Sequence, residues 1–171
     1  RALNATNGKS EWIPIEEDGK GTFILNSKDL NMLAHLQDLE KAGVCSFKIE
    51  GRMKSPYYVA TVTNAYRQRI NGTATLDTLH HELECASHRP YSTGFYYGAL
   101  KYDHNNDGLY RQSCKFIGIV QSKDTDSRYF VEMRNKFSVG DTLEVLSPFS
   151  WKPFGSQSAG GCKSAIYVRQ F

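Results

Sequence analysis

The chain has no run of about 18 apolar residues, so no transmembrane helix is expected. Its first residues lack the basic, apolar and small-residue order of a secretory signal. Cysteine is scarce: Cys45, Cys85, Cys114 and Cys162 are the four in 171 residues, and none makes a C-x-x-C pair. That spacing gives little support to a zinc site or a disulfide framework. Cys45 in an expected strand and Cys85 in an expected helix read instead as small core residues of a reducing, cytoplasmic compartment. There is no P-loop and no G-x-G-x-x-G, so no nucleotide fingerprint is present. No Ser–His–Asp, Cys–His or H-E-x-x-H arrangement can be argued, and no metal-ligand set is expected. Nor is one sign of charge in large excess. Lys plus Arg number 21 against 18 Asp plus Glu, a net charge of +3. This mild basic bias allows anionic partners without specifying them.

What is present suits one domain or two small ones. Gly21 to Leu25 reads as a strand ending near Asn26, and Ser27 as the N-cap of a helix ended by Gly43. Val44 to Ile49 reads as a second strand. Ser55 and Pro56 start a helix with Tyr58, Val62, Ala65, Tyr66 and Ile70 on one face, stopped by Gly72. Thr75 caps a third helix with Leu76, Leu79, Leu83 and Ala86 inward. The two strands are spaced as consecutive βα units of a parallel sheet. From about Phe95 the texture changes. Tyr102 to Tyr110 is polar loop, then come β-type runs at Lys115–Gln121, Arg128–Met133, Thr142–Leu146 and Ala165–Val168. Phe149 to Cys162 reads as loop. The fold class expected is α/β plus β, with residues 1–14 as linker, 15–100 as the α/β part and 111–171 as a small antiparallel sheet or barrel.

Chemistry is expected at the C-terminal ends of the strands. Lys48-Ile49-Glu50-Gly51-Arg52-Met53-Lys54-Ser55-Pro56 packs three cations, a carboxylate and a glycine between an apolar run and a helix start. Strand alternation puts Lys48 and Glu50 on one side. Gly51 allows a backbone to approach closely. Arg52 and Lys54 flank a helix N-terminus, whose N–H groups and dipole attract anions, phosphate in particular. Lys28 and Asp29 follow the first strand. Ser87-His88-Arg89-Pro90-Tyr91 follows the third helix, and His88 can act as acid or base, or as a packed helix-end histidine. Glu50 and His88 are the acid–base candidates. Lys28, Asp29, Lys48, Gly51, Arg52, Lys54 and Arg89 are the candidates for holding an anion or substrate.

Four strings carry a family resemblance: Thr22–Leu30 (TFILNSKDL), Ser46–Ala60 (SFKIEGRMKSPYYVA), Ser87–Phe95 (SHRPYSTGF) and Asn135–Asp141 (NKFSVGD). In these strings, their order and their spacing, the chain resembles the collagenase-like peptidases, peptidase family U32. The resemblance implies that residues up to about Gly98 are the last two βα units of a TIM-like barrel, and that the rest is a small β-barrel domain. It implies a longer parent, because the family's Gly- and Cys-rich region would precede Arg1. Some members hold an iron–sulfur cluster there, so the resemblance allows a cluster in the parent and implies no cofactor within this chain. Many members carry Cys after NSKDL, where this chain has Asn31.

Three readings of function follow for this chain. One branch is similar to proteins for hydroxylation of tRNA or ribosomal RNA bases, and basic strand-end residues suit that reading. The family name implies a peptidase or collagenase acting on protein, with Glu50 and His88 as its only acid–base candidates here. A non-catalytic binding segment is the third reading. The expected partners are RNA or peptide substrate and the rest of the parent. The parent is expected to be an enzyme, and the segment alone to be inactive.

Overall fold

The computed structural model describes residues 2–4, 10–12, 16–18, 21–23, 27–98, 109–123, 128–147, 150–153 and 166–170. The chain divides into two units, residues 1–32 with 88–111 and residues 33–87 with 112–171. Asn26, Cys162 and most of the polar loop before Tyr110 lie outside the described residues.

The first unit is built from short pairings. Strands β1 (Ala2–Asn4) and β2 (Ser10–Trp12) pair antiparallel within the stretch read as linker. Strands β3 (Glu16–Asp18) and β4 (Gly21–Phe23) form a second antiparallel pair. Strands β5 (Asp29–Leu30) and β6 (Tyr91–Ser92) run parallel. Asp29 N–H donates to the Pro90 carbonyl at 3.1 Å, and Asn31 N–H to the Ser92 carbonyl at 2.8 Å. His88 and Arg111 exchange backbone bonds of 3.0 and 2.7 Å.

In the second unit a 3₁₀ turn (Leu33–His35) leads into α1 (Leu36–Lys41), and Gly43 follows at φ +91°. The helix expected from Ser27 thus begins later. Asp29 and Leu30 spend their backbone on β6, which a helix would forbid. Helix α2 (Pro56–Asn71) starts where expected. Ser55 Oγ accepts from Tyr58 N–H at 3.2 Å, Pro56 takes the first turn, and Gly72 closes the helix at φ +64°. Its buried stripe is Tyr57, Thr61, Val62 and Ala65, while Tyr58 is half-buried and Ile70 exposed. The stripe is rotated from the expected face because Tyr57 stacks on Phe116, ring centroids 4.8 Å apart. Helix α3 (Leu76–Glu84) is capped by Thr75 and buries Leu79, Glu82 and Leu83. No described helix is long and apolar enough to cross a membrane.

Five strands complete the unit: β7 (Lys115–Lys123), β8 (Tyr129–Met133), β9 (Leu143–Ser147), β10 (Ser150–Pro153) and β11 (Ile166–Gln170). They form one antiparallel sheet in the order β10-β9-β11-β7-β8. The four β-type runs of the sequence all become strands. β10 falls in the stretch read as loop, and pairs with β9 through the short link from Ser147 to Ser150. Gly118 is buried in β7, and a Cβ there would run into the Glu132 carbonyl of β8. The described residues form no closed barrel.

Two expectations fail. Val44–Ile49 is not a strand, and its residues are exposed or half-buried. An isolated extended run leaves its backbone donors and acceptors without a ladder, and no described strand lies beside it. Gly21–Phe23 is a strand, but its partner is antiparallel β3 rather than a parallel neighbour. Two consecutive parallel βα units are therefore not formed among the described residues. The low expectation for a disulfide also fails: Cys85 and Cys114 are buried and joined to each other, with Cα atoms 4.5 Å apart. The end of α3 and the approach to β7 bring them together across 29 positions, which spacing alone does not reveal.

The core is locked by Arg169, 1% exposed. Its guanidinium forks onto Glu82 of α3 at 2.8 and 2.9 Å and reaches Glu144 of β9 at 2.8 and 3.0 Å. Burial pushes the Glu82 carboxyl up, against the pull of Arg169. Arg169 moves the other way relative to its burial, because the two carboxylates outweigh desolvation and hold it charged. The two-pronged geometry is that of a charged pair, with the guanidinium held charged by its two carboxylates. Tyr57 lies beside this cluster, and burial raises its phenol above the ordinary range. The Tyr57 hydroxyl is near that of Thr61 and near the Arg169 guanidinium, but neither hydroxyl makes a well-formed hydrogen bond in the structure.

Breaking such a pair from one side strands buried charge. Arg169→Met should cost about 3–5 kcal/mol in urea unfolding. The deficit should be smallest at acid pH. With Arg169 gone, the folded-state pKa of Glu82 rises further above its unfolded value, so stability falls as pH climbs through that window. A deficit below about 1 kcal/mol, flat with pH, would contradict the assignment.

Candidate functional site

The candidate residues fall into two groups, one in each unit. In the second unit, Lys48 to Ser55 forms the approach to α2. Lys54 N–H donates to the Gly51 carbonyl at 3.0 Å, closing a turn. Glu50 Oε1 accepts from Arg52 N–H at 3.0 Å, and Glu50 Oε2 lies 3.8 Å from Lys48 Nζ. Both side chains of that ion pair are more than two-thirds exposed, at 86% and 71%, so water screens it and it contributes little stability. Glu50 thus serves as a local brace for the turn, on the solvent side.

Lys54 is held more firmly. Its Nζ donates to the Ser87 carbonyl at 3.2 Å and sits 4.7 Å over the Tyr58 ring. Arg52 is exposed. The close approach that Gly51 permits is to α2 itself, since a Cβ there would lie 2.7 Å from Val59 Cγ2. The Tyr57 ring, stacked on Phe116 and tilted against Tyr167 at 6.2 Å, pins the start of α2 to the sheet. Cations, turn and helix N-terminus are therefore presented together on a rigid base.

In the first unit, β5 and β6 bring Asp29, His88 and Arg89 together. Asp29 Oδ2 accepts from Arg89 N–H at 3.2 Å. The Arg89 guanidinium lies 5.1 Å from the Tyr110 ring centroid. His88 is 2% exposed and stacks on Tyr91 with centroids 4.1 Å apart. Its Nδ1 is 2.7 Å from the Arg89 carbonyl, which can only accept, so Nδ1 carries the proton. The ring is thus packed and closed to solvent. Lys28 is half-buried next to Asp29. Glu50 and His88 belong to different units.

The buried Arg169–Glu82–Glu144 cluster escaped sequence reading. Its only trace is a charge directly after the apolar run Ile166 to Val168 and another inside the Leu79–Leu83 repeat. The described cysteines do not fit a cluster site: Cys85 and Cys114 hold each other, and Cys45 is exposed. No three of His, Cys, Asp and Glu gather as metal ligands among the described residues.

Comparison with known proteins bears on all of this. Residues 3–106 match the model of peptidase family U32, and residues 112–154 that of the peptidase family U32 C-terminal domain. The tRNA hydroxylation protein P of Escherichia coli (strain K12) is 41% identical over 145 residues, covering 81% of this chain and 32% of that protein. An uncharacterised protease of Methanocaldococcus jannaschii is 29% identical over 159 residues, covering 81% and 39%. A collagenase of Porphyromonas gingivalis is 33% identical over 91 residues, covering 49% and 25%. The chain thus spans about a third of the length of these relatives. No solved structure matches it.

The helix start can be tested directly. Ser55→Ala removes the acceptor for Tyr58 N–H and should cost about 1 kcal/mol in chemical unfolding. An unchanged midpoint would show that the cap does not hold the loop.

Proposed function

The chain belongs to peptidase family U32, and on that premise we propose that it takes part in hydroxylation of RNA bases, tRNA or ribosomal RNA. The observation that carries the reading is the match, over most of the chain, to relatives named for tRNA hydroxylation. The rigidly based cations at the start of α2 suit it. Arg52 and Lys54 offer charge to a phosphate beside a helix N-terminus. In this reading residues 15–100, which form no consecutive parallel βα pair by themselves, belong to a TIM-like barrel completed by the rest of the full-length protein, and 111–171 form a small β-domain around the open antiparallel sheet. RNA is the partner, the setting is cytoplasmic, and any iron–sulfur cluster is held elsewhere in the full-length protein.

A second reading draws on other relatives, one named a protease and one a collagenase. The residues here favour it less. Hydrolysis of a peptide needs an activated nucleophile, and the two acid–base candidates do not supply one. Glu50 braces a turn in solvent, and His88 is buried against Tyr91.

Binding of tRNA by the full-length protein, measured across salt, separates the readings. Binding should weaken steeply with salt. Arg52→Ala with Lys54→Ala should lower the slope of log affinity against log salt by roughly 2, one per phosphate contact. Hydrolysis of gelatin by pure metal-free protein, without salt-sensitive tRNA binding, would overturn the RNA reading.

A further inference from the structure

One side of α2 faces away from its buried stripe and has no assigned role. Pro56, Val59, Ala60, Thr63, Asn64 and Arg67 recur at helical spacing and line an open groove. Lys54 stands at its head and Tyr167 of β11 forms part of its floor. All these residues belong to the second unit. The groove encloses about 660 Å³, within the range of small-ligand sites.

Its charge is one-sided. From Gly51 to Leu76 the chain has four cations, Arg52, Lys54, Arg67 and Arg69, and no Asp or Glu. Among the described residues no carboxylate lines the groove. Arg67 is exposed. Lys54, just ahead of α2, and Arg67 lie at opposite ends of the stripe, and Pro56 to Arg67 alone spans about 16 Å of helix. Between them the surface is apolar or neutral: Val59, Ala60, Thr63 and the Tyr167 ring. Tyr167 is kept in place by Tyr57 and Phe116, at 6.2 and 6.0 Å.

Cations at both ends of an apolar floor suit a chain with charged links and flat, unpaired faces. We infer that this groove binds a short single-stranded stretch of RNA. Phosphates sit at Lys54 and Arg67, and unstacked bases lie over Val59, Ala60 and Tyr167. Single strands are recognised by such a combination of basic track and aromatic platform, whereas a duplex keeps its bases stacked inside. The inference rests on the RNA reading above and extends its surface from Lys54, which the two share, along α2 to Arg67.

The test uses the full-length protein with two probes of equal length, a single-stranded RNA and an RNA duplex, alongside total tRNA. Arg67→Glu and Thr63→Trp are the variants. Both positions are exposed, so thermal unfolding should stay unchanged. Each variant should weaken single-stranded RNA binding about tenfold or more, the scale of one lost base stack. Arg67→Lys should restore part of it. Thr63→Trp, which fills the groove without changing charge, should leave duplex binding alone. Unchanged single-strand binding in both variants, with tRNA binding still sensitive to Arg52→Ala and Lys54→Ala, overturns the groove and leaves the RNA reading standing. Equal losses for single strand and duplex reduce the surface to general attraction for polyanions and also overturn it. Loss of gelatin hydrolysis with RNA binding intact assigns the groove to polypeptide. Absence of RNA binding by the unaltered protein removes both readings at once.

Discussion

Burial of the Arg169 guanidinium between Glu82 and Glu144 constrains the second unit more than any other contact. One side chain from β11 meets a carboxylate from α3 and another from β9. An apolar contact could slide by a residue with modest loss. A fork onto two carboxylates cannot, because any shift leaves charge buried without its counterpart. Helix position and strand register are thereby fixed together. The Tyr57 ring then rests on Phe116 and Tyr167, one on each of the adjacent strands β7 and β11. The start of α2 inherits its position from that platform.

The loop ahead of α2 owes its presentation to this base. Its own contacts are weak: a solvent-side ion pair and a few turn bonds. What gives it definition is the capped helix behind it and the Lys54 ammonium tethered to the Ser87 carbonyl. Basic residues thus lie on a surface that stays put, so a phosphate need not order them on binding.

Local chemistry was legible in the sequence and long-range pairing was not. Ser55-Pro56 and Gly72 bounded α2 because capping is decided within a turn. The runs at Lys115, Arg128, Thr142 and Ala165 became strands because each pairs within the same antiparallel sheet. Val44–Ile49 has equal β character, yet a strand exists only beside another strand. The expected site residues proved separable for the same reason. Lys48, Glu50, Gly51, Arg52 and Lys54 cluster because they are neighbours in sequence. Asp29 joins His88 and Arg89 through the β5–β6 pairing, which no local pattern announces. The rotation of α2 by Tyr57, the Cys85–Cys114 link and the Arg169 cluster all depend on partners far along the chain.

The crossing near Cys85 has a topological consequence. Ser113 N–H bonds to the Glu84 carbonyl at 3.0 Å, Cys85 joins Cys114, and His88 pairs with Arg111. The first two rungs join the second unit's chain where it leaves α3 and where it returns to β7; the third lies within the first unit. Each holds together the two ends of the segment between Arg89 and Tyr110. Closing a loop whose ends are already held changes little with its length, by roughly 0.6 kcal/mol per doubling. The number of residues between the rungs is in that sense decoupled from the closure they make.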